Sequence, residues 1–127
     1  MPELTAAYKV LNDDKGKIFF LNSSTEFRVT LPPVSGREDY TLTFVVKAAP
    51  SGADYEIQTN AADEYILGSV YTGTAGAAAT TVGSTKTTIN FVAGSAVAGD
   101  WVRLYCDGTA WYIMGGCVKI TAGIVID

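Results

Sequence analysis

The chain has 127 residues, 48% of them hydrophobic and 17% charged, with a formal net charge of −4 and no histidine. That length builds one domain with a sizeable core and leaves no room for a separate regulatory domain. The nine Lys and Arg residues are scattered rather than clustered, which argues against nucleic-acid binding, and no apolar run approaches the roughly 20 residues of a membrane-spanning helix.

Residues 1–14 read as an N-terminal segment or arm and residues 15–127 as a β-rich domain. Met1-Pro2-Glu3 opens an acidic, polar entry without the basic and apolar regions of a signal peptide, so the chain is expected to stay soluble in the cytoplasm where it is made. Beyond Asp13-Asp14-Lys15-Gly16, a turn, the dominant signal is period two, which sorts side chains onto opposite faces of a sheet. Phe27, Val29 and Leu31 alternate with polar residues, and Tyr40, Leu42, Phe44 and Val46 alternate with Thr41, Thr43, Val45 and Lys47. Tyr55 and Ile57, then Ile89 and Phe91, repeat the pattern after turns at 32–36 and 50–52. Ala61-Ala62-Asp63-Glu64 supplies at most one helical turn.

Between a strand near 65–70 and another near 86–92, small residues crowd out large apolar ones from Thr72 to Thr85. This stretch reads as a long loop, a class that often makes functional contacts. Trp101 to Cys106 and Ala110 to Met114 then flank Asp107-Gly108, which tolerates the positive φ angles of a tight hairpin. Gly115-Gly116 is expected to break the strand, with one or two last strands over Val118–Ile120 and Ile124–Ile126. Short strands with regular punctuation predict an all-β, antiparallel β-sandwich or jelly-roll-like single domain. Its expected core is Phe20, Phe27, Val29, Leu31, Leu42, Phe44, Ile57, Ile89, Phe91, Leu104 and Ile113.

The chemistry of the sequence is sparse. Without histidine, the usual Ser-His and Cys-His nucleophile pairs and the commonest metal sites are out of reach within one chain, so no catalytic, cofactor-binding or metal residue is assigned. The acidic doublets Asp13-Asp14, Glu38-Asp39 and Asp63-Glu64 suit general acid-base work or calcium in principle, but each sits beside turn residues and reads as turn solvation. Gly83-Ser84-Thr85-Lys86-Thr87 lacks the glycine before lysine that a phosphate loop needs. Cys106 and Cys117 read as reduced thiols, since a two-residue turn would set Cys106 opposite Thr109, a four-residue loop would set it opposite Trp111, and neither faces it with Cys117. Trp101, Arg103 and Tyr105 share one strand face, and on the return strand Trp111 and Ile113 oppose Tyr112 and Met114. One aromatic set is expected in the core and the other at a protein interface or a sugar-stacking platform.

Taken in order, Gly16-Lys17-Ile18-Phe19-Phe20-Leu21, Phe27 to Pro32, Gly36 with Tyr40 to Lys47, Tyr55-Glu56-Ile57, Gly68, and Gly99-Asp100-Trp101-Val102 with Asp107-Gly108-Thr109-Ala110-Trp111 make a pattern over residues 15 to 115. This ordering resembles capsid decoration, or cement, proteins and related head-fibre modules of tailed phages. The resemblance implies a homotrimeric β-rich knob, without enzymatic activity, seated on the major capsid protein at the outer surface of the virion head and stabilising the shell. It carries over no catalytic residue. The alternative from another class is a carbohydrate- or receptor-binding module of a phage head or tail fibre.

Overall fold

The computed structural model describes residues 3–23, 27–72, 80–81, 85–118 and 123–127. Two mixed sheets face each other across one apolar core. Along the first half, the chain crosses from one sheet to the other at every strand. Glu3–Leu4 (β1), Ile18–Leu21 (β3) and Tyr40–Val46 (β5) lie in the larger sheet, while Tyr8–Lys9 (β2), Phe27–Thr30 (β4) and Tyr55–Gln58 (β6) lie in the smaller one. Each strand therefore returns to its own sheet two strands later, running in the same direction. That is why β1–β3, β3–β5, β2–β4 and β4–β6 are all parallel pairs.

The second half supplies the antiparallel pairs, together with two further parallel ones. Ile66–Leu67 (β7), Ser69–Thr72 (β8), Thr80–Thr81 (β9), Trp101–Cys106 (β11) and Trp111–Val118 (β12) complete the larger sheet in the order β1-β3-β5-β11-β12-β8-β9, with β7 also on β12. Thr88–Phe91 (β10) and Ile124–Ile126 (β13) complete the smaller sheet, β13-β10-β6-β4-β2. The all-β sandwich expected from the alternation is present, with mixed rather than purely antiparallel sheets.

Register decides which apolar residues are core. Ile18 to Leu21 is apolar throughout, so alternation cannot set its phase; pairing of Phe19 with Phe44 and of Leu21 with Val46 does. Phe19 is consequently buried and stacks on Phe44 with ring centroids 5.7 Å apart, whereas Phe20 turns outward, against the expected core assignment. Ile113 is only partly buried at the core margin. The other nine expected core residues are buried, joined by Tyr40, Tyr55 and Trp111. Burial of the Tyr55 ring leaves its hydroxyl bonded to the Ala48 carbonyl at 2.6 Å, which meets the cost of an interior polar atom.

The hairpin closes with Cys106 opposite Trp111, the four-residue alternative. Its return strand does not break at the glycines. β12 runs through Gly115-Gly116 with one extra residue, Met114, because Arg103 pairs with Gly115 and Leu104 with Ile113. Opposite this bulge Gly68 separates β7 from β8 at φ +116, where a Cβ would lie 3.0 Å from that of Ile113. The register also places Cys117 opposite Trp101, about 16 Å along the hairpin from Cys106 at about 3.3 Å per residue, beyond disulfide reach. Cys106 is a free, buried thiol whose pKa burial pushes up; the Cys117 side chain lies outside the described residues.

Within the stretch read as one long loop, Thr80–Thr81 pairs back on Ser69–Val70, and residues 73–79 and 82–84 lie outside the described residues. Those gaps include Gly83 and Ser84 of the phosphate-loop-like run, and residues 119–122 likewise take in part of the expected strand at Val118–Ile120.

Residues 3–14 are woven into both sheet edges rather than standing off as an arm. Leu4 and Val10 are core, and Asp14, expected as a solvated turn acid, is 2% exposed. Its carboxylate accepts hydrogen bonds from Lys17 Nζ at 2.7 Å, Tyr8 Oη at 2.6 Å and the Leu11 N–H at 2.8 Å. Burial alone would push this carboxyl up, but those three donors together outweigh it and hold the pKa below its ordinary 3.8.

Truncating Phe44 to Ala should cost about 3–5 kcal/mol in denaturant unfolding, against about 1 kcal/mol or less for Phe20→Ala. Equal losses would show that the Phe19/Phe20 phase is wrong. Because the Asp14 pKa is lowered on folding, its stabilisation is complete above the ordinary carboxyl value and disappears as pH falls through the folded one. Urea midpoints of wild type and Asp14→Asn should therefore differ at pH 7, and the gap should shrink as pH falls below the ordinary carboxyl range; a gap independent of pH would contradict this.

Candidate functional site

The two outer faces of the sandwich have different chemistry. On the smaller sheet, Arg28 is bidentate on Glu56, with Nε and Nη2 at 3.1 and 2.9 Å from Oε1, and Asn90 Nδ2 donates to Asp127 at 2.9 Å. Lys9, Thr30, Gln58 and Thr88 share that face, and of its apolar residues only Val125 is prominently exposed. This face is polar: Arg28 and Asn90 are bonded to its acids, Lys9 is exposed, and Thr88 and Asn90 are buried within it.

On the larger sheet the outward ladders are Phe20–Val45–Trp101, Ile18–Thr43–Arg103–Gly115 and Thr41–Tyr105–Tyr112–Leu67. Period-two geometry commits these positions to one surface once Phe19, Leu42, Phe44, Leu104 and Trp111 are committed to the core. Met114, the bulge residue, adds the most exposed large apolar side chain described, at 64%. Trp, Tyr, Met and Arg are the residue types enriched at protein interfaces.

Two local devices hold this face in shape. A Cβ at Gly115 would stand 3.0 Å from Trp101 Cη2, so the indole occupies the space that any larger residue would fill. Arg103 lies beside the same ring, its Cζ 5.9 Å from the centroid, and its Nε donates to Thr43 Oγ1 at 3.1 Å. The guanidinium is thereby oriented by an aromatic ring and a hydroxyl, and among the described residues no carboxylate pairs with it. Beside Phe20, a shallow depression of about 440 Å³ lined by Glu3, Val45, Val46, Lys47 and Gly99 extends the face toward its edge, where Lys47 and Glu3 form an ion pair at 2.8 Å.

Two acids of the hairpin end, Asp107 and Asp39, are engaged in local geometry. Asp107 caps the turn by accepting from the Thr109 and Ala110 N–H groups at 2.8 and 2.9 Å, which with the Thr109 hydroxyl holds its pKa at about 2. Asp39, at φ 62, accepts the Tyr105 hydroxyl, and that bond pushes the phenol pKa up. Glu38 and Asp63 are exposed, while burial raises the pKa of the half-buried Glu64. No group of three or more metal-ligating side chains occurs among the described residues. The doublets thus stay apart as turn and capping acids, except Asp14.

Alternation predicted the grouping of Trp101, Arg103 and Tyr105, and the core position of Trp111 now identifies the outward aromatic set. Met114 was grouped with Tyr112 opposite Trp111, but Phe20, Val45 and Gly115 are placed on this face only by the structure; the adjacent glycines after an aromatic hairpin were the one available signal. No known family model, curated protein or solved structure matches the chain.

Gly115→Ala should displace the Trp101 indole while changing stability by about 1 kcal/mol or less. Acrylamide quenching of tryptophan fluorescence should increase, since Trp111 is fully buried and Trp101 supplies the accessible component. Unchanged quenching would mean that the indole does not rest on this glycine.

Proposed function

We propose that the chain is a non-catalytic structural protein of a tailed-phage virion, a homotrimeric decoration protein that seats on the major capsid protein at the outer surface of the assembled head and stabilises the shell. The observation that carries this reading is the contrast between the two outer faces, one polar and internally paired, the other rich in Trp, Tyr, Met and Arg on a rigid sheet. Such a surface works by burial against other protein. The family resemblance in the strand and turn pattern supplies the setting in which that burial matters. A protein that binds the assembled lattice and not its dissociated subunits stabilises the lattice by mass action. Self-association multiplies each chain's contact with the lattice, so one 127-residue domain need not bind tightly alone.

Purified protein mixed with heads lacking it should co-sediment, saturate at a fixed copy number per head by mass spectrometry, and raise the temperature at which heads release DNA. Absence of co-sedimentation at micromolar concentration, together with binding on a glycan array, would replace this reading by the carbohydrate- or receptor-binding module.

A further inference from the structure

Among the described residues, the outward face of the larger sheet has a single cation at its centre, Arg103, and no carboxylate paired with it. β11 is the fourth of seven strands in the sheet order, and Arg103 is the third of its six residues. Around it stand Trp101, Tyr105, Tyr112 and Met114, and its Nε is already committed to Thr43. The remaining guanidinium nitrogens form a fork suited to a carboxylate. Covering this face with apolar groups alone would strand a desolvated charge, so the surface that covers it must bring an acid.

The geometry points to a second copy of this chain as the occupant, seated so that Arg103 of one protomer receives a carboxylate of the next. This rests on reading the larger sheet's outer face as a protein-contact face, and adds which partner it takes and which contact decides the arrangement. Six strand spacings of about 4.8 Å by a strand length of about 20 Å give roughly 600 Å² in plan, before side-chain relief, near the ~800 Å² per partner of a stable interface. The chain carries 13 acids against nine Lys and Arg, so it can supply the missing anion itself. Glu38 is an exposed acid at the hairpin end with no ion pair or side-chain hydrogen bond among the described residues, whereas Asp39 and Asp107 are engaged by Tyr105 and by the turn.

Charge also selects the symmetry. A twofold face-to-face dimer centred on this sheet would bring Arg103 against Arg103 at the axis, two like charges in a dehydrated contact. A heterologous contact, in which the face of one copy meets the acid-bearing end of the next, avoids that conflict and gives a ring where its rotation closes. The depression beside Phe20 gives such a contact an apolar anchor point.

Sedimentation equilibrium of the full chain from 1 to about 100 μM, the range expected for a modest specific interface, tests the assignment. Wild type should associate into a closed oligomer of three or more copies. Arg103→Glu should weaken association at least about tenfold while keeping the wild-type circular dichroism and monomer unfolding midpoint. Lys9→Glu, on the outer face of the smaller sheet, should associate as wild type does. A double variant, Arg103→Glu with Glu38→Arg, should regain association. The inference is overturned if wild type is monomeric throughout, if it forms only dimers, if Arg103→Glu leaves association unchanged, if Lys9→Glu weakens it equally, or if the double variant stays dissociated. Wild type that is monomeric yet still saturates heads would sink this inference and the trimer with it, leaving only head decoration standing; an oligomer that ignores heads would sink the decoration reading and leave this inference standing.

Discussion

One extra residue in the return strand of the hairpin sets both faces of the larger sheet. Up to Ile113, β12 alternates in step with β11, carrying Trp111 inward and Tyr112 outward. Without the bulge the next positions would keep that phase and turn Gly115 inward. Met114 shifts the phase by one, so that Gly115 lies outward beneath the Trp101 indole and Gly116 inward against Val70. Both contacts are too close for a side chain on β12, and Gly68 on the neighbouring strand yields at the same level. The three glycines and the bulge therefore form one device. It seats the Trp101 indole over Gly115, beside the Arg103 guanidinium.

The alternating winding of the first six strands imposes a second constraint. A chain that changes sheet at each step delays the formation of any sheet until its next-but-one strand arrives. Contacts of high sequence separation dominate such a fold, which is the regime of slow folding through non-local pairing. The Asp14 cluster fits that demand. It ties the N-terminal crossing to the turn before β3 through Tyr8, Leu11 and Lys17, closing a local loop before distant strands must pair. A buried carboxylate with three donors is also intolerant of misplacement, because losing one leaves a desolvated charge.

Legibility in the sequence followed the range of the interaction. β5 and the Asp107-Gly108 hairpin could be read because their signals are local: alternation within one strand, and a dipeptide suited to positive φ. Phe19 and Phe20 could not be told apart, since a continuous apolar run has no phase of its own and takes one from Phe44, 25 positions away in the chain. Parallel pairing escaped for the same reason; it depends on which sheet the intervening strand occupies. Gly115-Gly116 carried a true signal with the wrong meaning, as adjacent glycines mark close approach of another group as readily as the end of a strand. The outward face was half legible. Trp101, Arg103 and Tyr105 share it by alternation, but Phe20 and Val45 join only through the order β3-β5-β11.

That order bears on why the chain would keep such a face. Contiguous exposed aromatic surface invites nonspecific association, and natural sheets usually break it with charges. Here the edge is charged, through Glu3 and Lys47, while the centre holds one arginine. A lysine in that place would be a flexible point charge, tolerant of many anions and of continued hydration. A guanidinium fixed by Thr43 and the Trp101 ring accepts a carboxylate in few orientations and leaves an apolar partner unrewarded. The same side chain thus discourages indiscriminate burial of the face and favours one acid-bearing partner, so specificity arises from what the surface leaves unsatisfied as much as from the area it offers.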